Sequence, residues 1–409
     1  MGLISRREAL AGAAATLGTG LAKARAAPLK LKRGVNAFPW LQLTREFPAP
    51  SRDYDWPPFQ PTRPTPTARD LAALRDVGFD FVRLPVDPGP FLAASPAHRR
   101  ALMDELMGAV EMCRAADLNV VVNVQANAGT HYWTPARMTA STEAPEFGAY
   151  LALVGEIAAR LPASRAALEP INEPVGACSA PETRAVREAL LARARRAAPD
   201  LTLVASGGCG GLIQGLADFD PGDVAPFAPI LCTFHFYEPY LFSHQGATWM
   251  GERLYRTLAD VPWPASQGSY DETMRATRAR LDADATLTPQ TRADVLAETE
   301  KIIKVYFDAN PGRPFIDRYL GAADAWAKRH GLSNDHVLMG EFGALRRDAL
   351  HFGARAADRA RYVRDVRESA EALGFPWAFW CLFDGMGLMD DETRAFDPAI
   401  LGALGLKTR

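Results

Sequence analysis

Two glutamates stand where short apolar runs stop. Glu173 lies in Ile171-Asn172-Glu173-Pro174, closing the run from Ala167, and Glu341 lies in Met339-Gly340-Glu341-Phe342-Gly343, closing the run from His336. A run of this length rich in β-formers reads as a strand, so each carboxylate sits at a strand end. Taken singly, such a glutamate is most often a solvated loop residue or a helix cap. Two of them with similar surroundings define a sharper chemistry. Cleaving a glycosidic bond with retention of configuration requires two carboxyl groups roughly 5 Å apart, one protonated and one ionised, across the anomeric centre. Other chemistries find no purchase. Ser206-Gly207-Gly208 lacks the Gly-x-Ser-x-Gly elbow, and neither a His-Glu-x-x-His zinc motif nor a phosphate-binding Gly-x4-Gly-Lys-Ser/Thr occurs. The five cysteines, Cys113, Cys178, Cys209, Cys232 and Cys381, show no CxxC and no histidine spaced to complete a zinc site. No metal and no cofactor is expected.

The elements that must position the two glutamates follow from the alternation of apolar runs and helical periods. Eight runs read as strands: Gly34 to Phe38, Phe79 to Leu84, Asn119 to Val124, Ala167 to Ile171, Leu201 to Ala205, Ile230 to Phe236, His336 to Met339 and Trp377 to Leu382. Between them, Leu71, Leu74 and Val77, then Leu102, Leu106, Val110 and Cys113, and later Val363, Val366, Ala370 and Leu373 recur at helical spacing. Strands alternating with helices imply a parallel sheet. A doubly wound sheet would open on a glycine-rich phosphate fingerprint. The one glycine cluster, Gly207 to Gly211, follows the fifth run and reads as a tight turn. The expectation is therefore a single (β/α)8 barrel over residues 28–409. Two connections are too long for plain loops. One is the proline- and aromatic-rich Pro39 to Pro66. The other is an insertion of about 239–311 with one helical stretch around Arg292 to Phe307. Both follow a strand, so both should emerge on the C-terminal face of the barrel, where barrel active sites lie. There they either shape a cleft or buttress the barrel.

Bulk properties remove other classes. With 48% hydrophobic and 23% charged residues and a formal net charge of −2, the chain of 409 residues carries no charge block suited to nucleic acid. Past the N-terminus no apolar run is long enough to span a bilayer, so no membrane anchor is expected once a signal is removed. Residues 1–27 read as that signal: Ser5-Arg6-Arg7 precedes a weakly hydrophobic stretch from Ala9 to Ala22, followed by Ala24-Arg25-Ala26. The paired arginines favour twin-arginine export over a Sec signal or a frayed helix, and imply a periplasmic or secreted protein. Cys113, Cys232 and Cys381 fall in apolar patterns and read as core residues. One bridged pair is open to an exported chain, and the sequence does not choose it. Oligomeric state is not legible.

With these motifs in place, the mature chain resembles glycoside hydrolase family 5, the cellulase-like retaining β-glycosidases. Arg33-Gly34-Val35-Asn36 is similar to the family's first strand and Arg83-Leu84-Pro85 to the end of its second. Asn172-Glu173-Pro174 resembles the acid/base motif, His235-Phe236-Tyr237 the His-x-Tyr closing strand six, Glu341 the nucleophile and Trp380 the tryptophan ending strand eight. One place departs: where the family closes strand three with Asp-x-His, this chain has Asn123 and Gln125, followed by His131 as a substitute imidazole or an ordinary loop histidine.

The resemblance implies roles. Glu341 would attack the anomeric carbon, kept ionised by Arg83 and a hydrogen bond from Tyr237, while Glu173, partly desolvated beside that charge, would be held protonated. Asn172 would bind the sugar 2-hydroxyl, His235 would orient Glu173, and Trp380 would face the sugar. Asn36, Gln125 and His131 complete the expected substrate-binding set. The implied partner is a β-glucan polysaccharide or oligosaccharide, β-1,4-linked by default. Alternatives are an exo-β-glucosidase or β-1,3-glucanase, a transglycosylase remodelling a bacterial β-glucan, a mannanase, and a non-catalytic carbohydrate-binding barrel.

Overall fold

The computed structural model describes residues 27–408. The paired arginines and nearly all of the expected signal lie outside the described residues. Eight strands close a parallel barrel in sequence order: β1 (Arg33–Asn36), β2 (Phe81–Val86), β3 (Asn119–Val124), β4 (Ala166–Glu169), β5 (Thr202–Ser206), β6 (Ile230–Phe236), β7 (Val337–Phe342) and β8 (Trp377–Phe379), with β8 returning to β1. Each is followed by a helix, in turn α1 (Ala68–Val77), α2 (Pro96–Ala115), α3 (Phe147–Arg160), α4 (Pro181–Ala197), α5 (Ile213–Ala217), α6 (Arg313–Arg329), α7 (Ala356–Leu373) and α8 (Pro398–Ala403). This is the (β/α)8 barrel expected from the alternation.

Boundaries moved where local chemistry intervened. The fourth strand stops at Glu169 rather than Ile171, because Pro170 has no N–H to extend the ladder. The seventh runs on to Phe342. The eighth ends at Phe379, where the chain leaves the ladder through a cis Trp380–Cys381 peptide. Helix ends follow their signals. In α1, Thr67 and Asp70 form a reciprocal capping box, and Gly78 closes the helix in the left-handed conformation.

Inside the barrel, one apolar layer is built from Leu31, Phe81, Val121, Ala167, Val204, Leu231, Leu338 and Ala378, the last seven from seven successive strands. The first strand contributes an absence: a Cβ on Gly34 would lie 2.3 Å from the Phe81 ring, so glycine there makes room for it. Side chains alternate along a strand, so the residues two places on point inward one layer higher. They are Asn36, Arg83, Asn123, Glu169, Ser206, Thr233, Gly340 and Trp380. The floor is apolar and the layer above it polar. The pleat alone therefore raises a reactive layer toward the C-terminal face.

The two long connections resolve differently. The first holds an antiparallel hairpin, Thr44–Glu46 with Tyr54–Phe59, leaning on the end of β2 through a Leu41–Val86 bridge. The second contains the expected helix, here Pro289–Ala309, and also an unexpected one, Tyr270–Ala283, besides short turns at Tyr240–Ser243 and Arg253–Thr257. Fully buried Trp263 pins this insertion to α7: its indole donates to Asp365 at 2.8 Å and its ring meets Tyr362 edge-on. Cys113, Cys232 and Cys381 are buried free thiols, and Cys178 is bridged to Cys209. No helix among the described residues is long and apolar enough to cross a membrane.

Candidate active site

The polar layer is organised by one guanidinium. Arg83, fully buried, donates through Nε and Nη2 to the two oxygens of Glu169 at 2.7 and 3.0 Å. Its Nη1 donates to Glu341 Oε1 at 2.6 Å and to Asn36 Oδ1 at 2.8 Å, and Nη2 to Asn172 Oδ1 at 2.7 Å. A planar fork with five N–H groups suits such a hub, which lysine could not replace. Above it, the Tyr237 hydroxyl donates to Glu341 Oε2 at 2.8 Å, and His235 Nδ1 lies 2.8 Å from Glu173 Oε1 and 3.6 Å from Glu341 Oε2. His235 Nε2 faces Arg83 at 3.4 Å. Arginine only donates, so the network assigns the lone pair to Nε2 and the proton to Nδ1, directed at Glu173.

Glu341 reaches His235 because β7 bulges. Phe234 pairs with Met339 but His235 pairs with Glu341, leaving Gly340 as the extra residue. A Cβ on Gly340 would lie 2.8 Å from Thr233 Oγ1 and 3.2 Å from His235 Nε2. Glu173 comes from the turn after β4 with φ 41°. One donor atom each from Glu173, His235 and Glu341 lie within 4.8 Å of one another. Arg83 already supplies positive charge to this cluster.

Electrostatics differ in part from the expectation. The Glu341 side chain keeps only 5% of its surface exposed, and that burial pushes its carboxyl above the ordinary carboxylate value although His235, Arg83 and the Tyr237 hydrogen bond all pull it down. The sequence reading counted the pull and missed the burial. The Glu173 side chain is 40% exposed, more open than expected. Burial would lower the His235 imidazole, but Glu341 and Glu173 outweigh it and raise it. Burial and the charge of Glu341 hold the Tyr237 phenol far above its ordinary value, so it remains a donor. Burial lowers the neighbouring His244 to about 4.

The expected residues divide by what they touch. Arg83, Asn172, Glu173, His235, Tyr237 and Glu341 meet as one network. Trp380 is half-buried at its edge, tilted against Phe38 at 5.3 Å between centroids. Asn36 is fully buried between Arg83, to which its Oδ1 is bonded, and the Gly340 carbonyl, 3.0 Å from its Nδ2. His131 does not join the network. Its ring bonds Glu46 at 3.0 Å and the Ser51 carbonyl at 2.5 Å, fastening the hairpin. Gln125 presents a buried Oε1, and Asn123 both side-chain polar atoms, without a hydrogen-bond partner among the described residues. Glu169 was missed. The signal lay in strand parity, two residues after the inward Ala167.

A closed parallel barrel with two carboxylates facing one histidine, Glu173 from the turn after β4 and Glu341 from β7, places the chain among (β/α)8 proteins with a two-carboxylate centre. The chain belongs to glycosyl hydrolase family 5: the family model described as Cellulase (glycosyl hydrolase family 5) matches residues 49–385. It is 29% identical over 151 residues to Endoglucanase 3 of Fibrobacter succinogenes, covering 37% of this chain and 19% of that one. It is 26% identical over 194 residues to Cellodextrinase A of Ruminococcus flavefaciens, covering 45% and 56%. The chain thus spans less than two thirds of either relative. Among solved structures, the cellulose synthase subunit Z of Clostridioides difficile shares the fold with TM-score 0.64, 20% identity, and coverage of 92% and 99%. Endoglucanase Cel5A of Thermotoga maritima does so with TM-score 0.63, 20% identity, and coverage of 91% and 96%.

Proposed function

We propose that this protein hydrolyses β-linked glucan, β-1,4-glucan in the first place, by double displacement with Glu341 as nucleophile and Glu173 as general acid/base. The spacing of the pair carries the reading. One oxygen of each carboxylate lies within 4.8 Å of the other, close enough for a retaining enzyme, whereas inversion needs roughly 6.5–9.5 Å between the groups to admit water. Family membership and the names of the two relatives support the substrate class.

The donors assign the roles. Glu341 receives Arg83 and a phenol that stays protonated, an environment built for an anion, and attacks the anomeric carbon as the bond to the leaving oxygen breaks. Glu173, open to the cleft and held by His235, gives its proton to that oxygen. It then takes a proton from water, which attacks the same carbon and frees Glu341. Where the family places an acid and a histidine this chain has Asn123, fully buried, and Gln125, half-buried, so of the two amides it is Gln125 that keeps surface to meet a sugar hydroxyl. Incubation with a fluorinated dinitrophenyl cellobioside is expected to add one glycosyl unit to Glu341, read by intact and peptide mass. The first sugar product should appear as the β-anomer by NMR. An unlabelled protein that turns over no β-glucan would sink the reading.

Residues 1–27 fit the proposal as a twin-arginine signal ahead of a single catalytic domain. The double substitution Arg6→Lys with Arg7→Lys should retain the precursor in the cytoplasm, and unchanged export would refute this part.

A further inference from the structure

Glu173 stands on a segment, residues 171–180, that contains no helix or strand. Its φ of 41° lies in the left-handed region that a residue with a Cβ seldom adopts, so something besides local preference must hold it. Three contacts act close by: Asn172 N donates to the Val124 carbonyl at 3.0 Å, Arg83 donates to Asn172 Oδ1 at 2.7 Å, and His235 holds the carboxyl. Beyond a bond from the Thr183 hydroxyl to the Val175 carbonyl at 3.3 Å, the segment is held by the turn Cys209–Gly211 that follows β5. Gly210 N donates to the Pro174 carbonyl at 3.2 Å, and Cys209 is bridged to Cys178.

The glycines of that turn show how closely the two segments meet. A Cβ on Gly208 would lie 2.7 Å from the Cys178 carbonyl and 3.1 Å from that of Ala177, so here backbone packs on backbone. A Cβ on Gly211 would lie 3.5 Å from Glu173 Cγ, which makes this glycine part of the floor beneath the carboxyl. The turn is itself rooted in the barrel, through Ser206 of β5 and a bridge from Leu212 to His235 of β6.

We propose that the Cys178–Cys209 disulfide is a positioning device for Glu173, locking the acid/base segment onto a barrel-anchored turn. The proposal rests on the acid/base role argued above. Opening the bridge leaves the Arg83–Glu341–Tyr237 network untouched and frees the segment that delivers the proton. Full activity on glycosides with poor leaving groups therefore depends on an oxidising compartment.

The test exploits the difference between leaving groups. Expulsion of dinitrophenolate needs no proton, while expulsion of phenolate does. The ratio of kcat/KM for the two aryl β-cellobiosides therefore reports proton delivery in the first step. For Cys178→Ser with Cys209→Ser, kcat/KM on the phenyl glycoside should fall about tenfold or more, while the dinitrophenyl glycoside stays within about twofold. Reduction by dithiothreitol opens the same bridge in the native chain, leaving two thiols. The reagent supplies two electrons and two protons, leaves as its cyclic disulfide, and serves if the double variant fails to fold. Parallel loss on both glycosides, or no loss on either, overturns the tether. A native protein inactive on both glycosides instead overturns the hydrolase reading on which it rests.

Discussion

At the scale of residues, the centre is a charge problem solved by one arginine. Glu169 and Glu341 share Arg83, and all three are buried, so none can be removed without leaving another group uncompensated. Glu169→Gln keeps the shape and removes one charge. We expect it to destabilise the fold by ~3 kcal/mol in urea unfolding, as breaking buried pairs does. It should also leave Glu341 with more of the guanidinium and one less negative neighbour, moving the acidic limb of the kcat/KM profile to lower pH. An unmoved limb with full stability would show that the two carboxylates do not share Arg83 as described. Glu173 and Glu341 were legible in the sequence because each ends an apolar run. Glu169 was not, because the apolar run carries on past it through Ile171 and hides an inward-facing charge two residues after Ala167. The bridge between Cys178 and Cys209 was illegible for another reason: it joins two irregular segments that no periodicity relates.

At the scale of elements, the bulge in β7 aims Glu341, and Gly340 leaves room for it beside Thr233 and His235. In Gly340→Ala, the methyl would press on Thr233 and His235. We expect kcat to fall roughly ten- to hundredfold through misplacement of about an ångström. A kcat within twofold would mean that the strand pair absorbs the methyl. The hairpin after β1 makes a prediction of a different kind. It covers Asp87, the N-cap of the helix Pro88–Ala93, and burial raises this carboxyl from 3.8 to about 7, helped by the charge of Glu46 and opposed by the Gly89 N–H and Thr44. A carboxyl raised on folding favours the native state fully below its unfolded value, and that contribution is lost as pH climbs through the folded value. Wild-type stability should therefore decline between about pH 4 and pH 7 by a few kcal/mol from this group. Asp87→Asn, which also caps helices, should flatten that slope. Denaturant curves that stay parallel for the two proteins at both ends of this range would refute it. The hairpin itself escaped the sequence reading because Trp56-Pro57-Pro58 argues against a strand. The helix Tyr270–Ala283 escaped because its buried stripe is Thr273, Met274, Thr277 and Leu281, half of it threonine.

At the scale of the whole molecule, the barrel was legible because its rule is global: eight runs, eight helices and a strict alternation admit few topologies. What the insertion does was not, since that depends on side chains far apart in sequence. Trp263 is where it meets the barrel. The indole is fully buried, flanked by Phe242 and Tyr362, and bonded to Asp365, while Arg361 donates back to the Trp263 carbonyl at 2.8 Å. Tyr362 in turn donates to the Glu238 carbonyl at 3.1 Å, next to Tyr237, so the anchor and the wall of the candidate site share one packed seam. Trp263→Ala would empty the seam and strip Asp365, already raised by burial, of its donor. A cavity of this size costs ~3–5 kcal/mol, read as a fall in Tm of roughly 5 °C or more. The reacting groups keep their own partners, so kcat/KM on the phenyl β-cellobioside should fall far less than the tenfold or more expected when Glu173 loses its tether. A variant with unchanged Tm would show that the insertion is held elsewhere. One that keeps most of its stability but loses kcat/KM on that glycoside as steeply as the disulfide variant would show that the seam, rather than the segment carrying Glu173, sets the geometry of the pair.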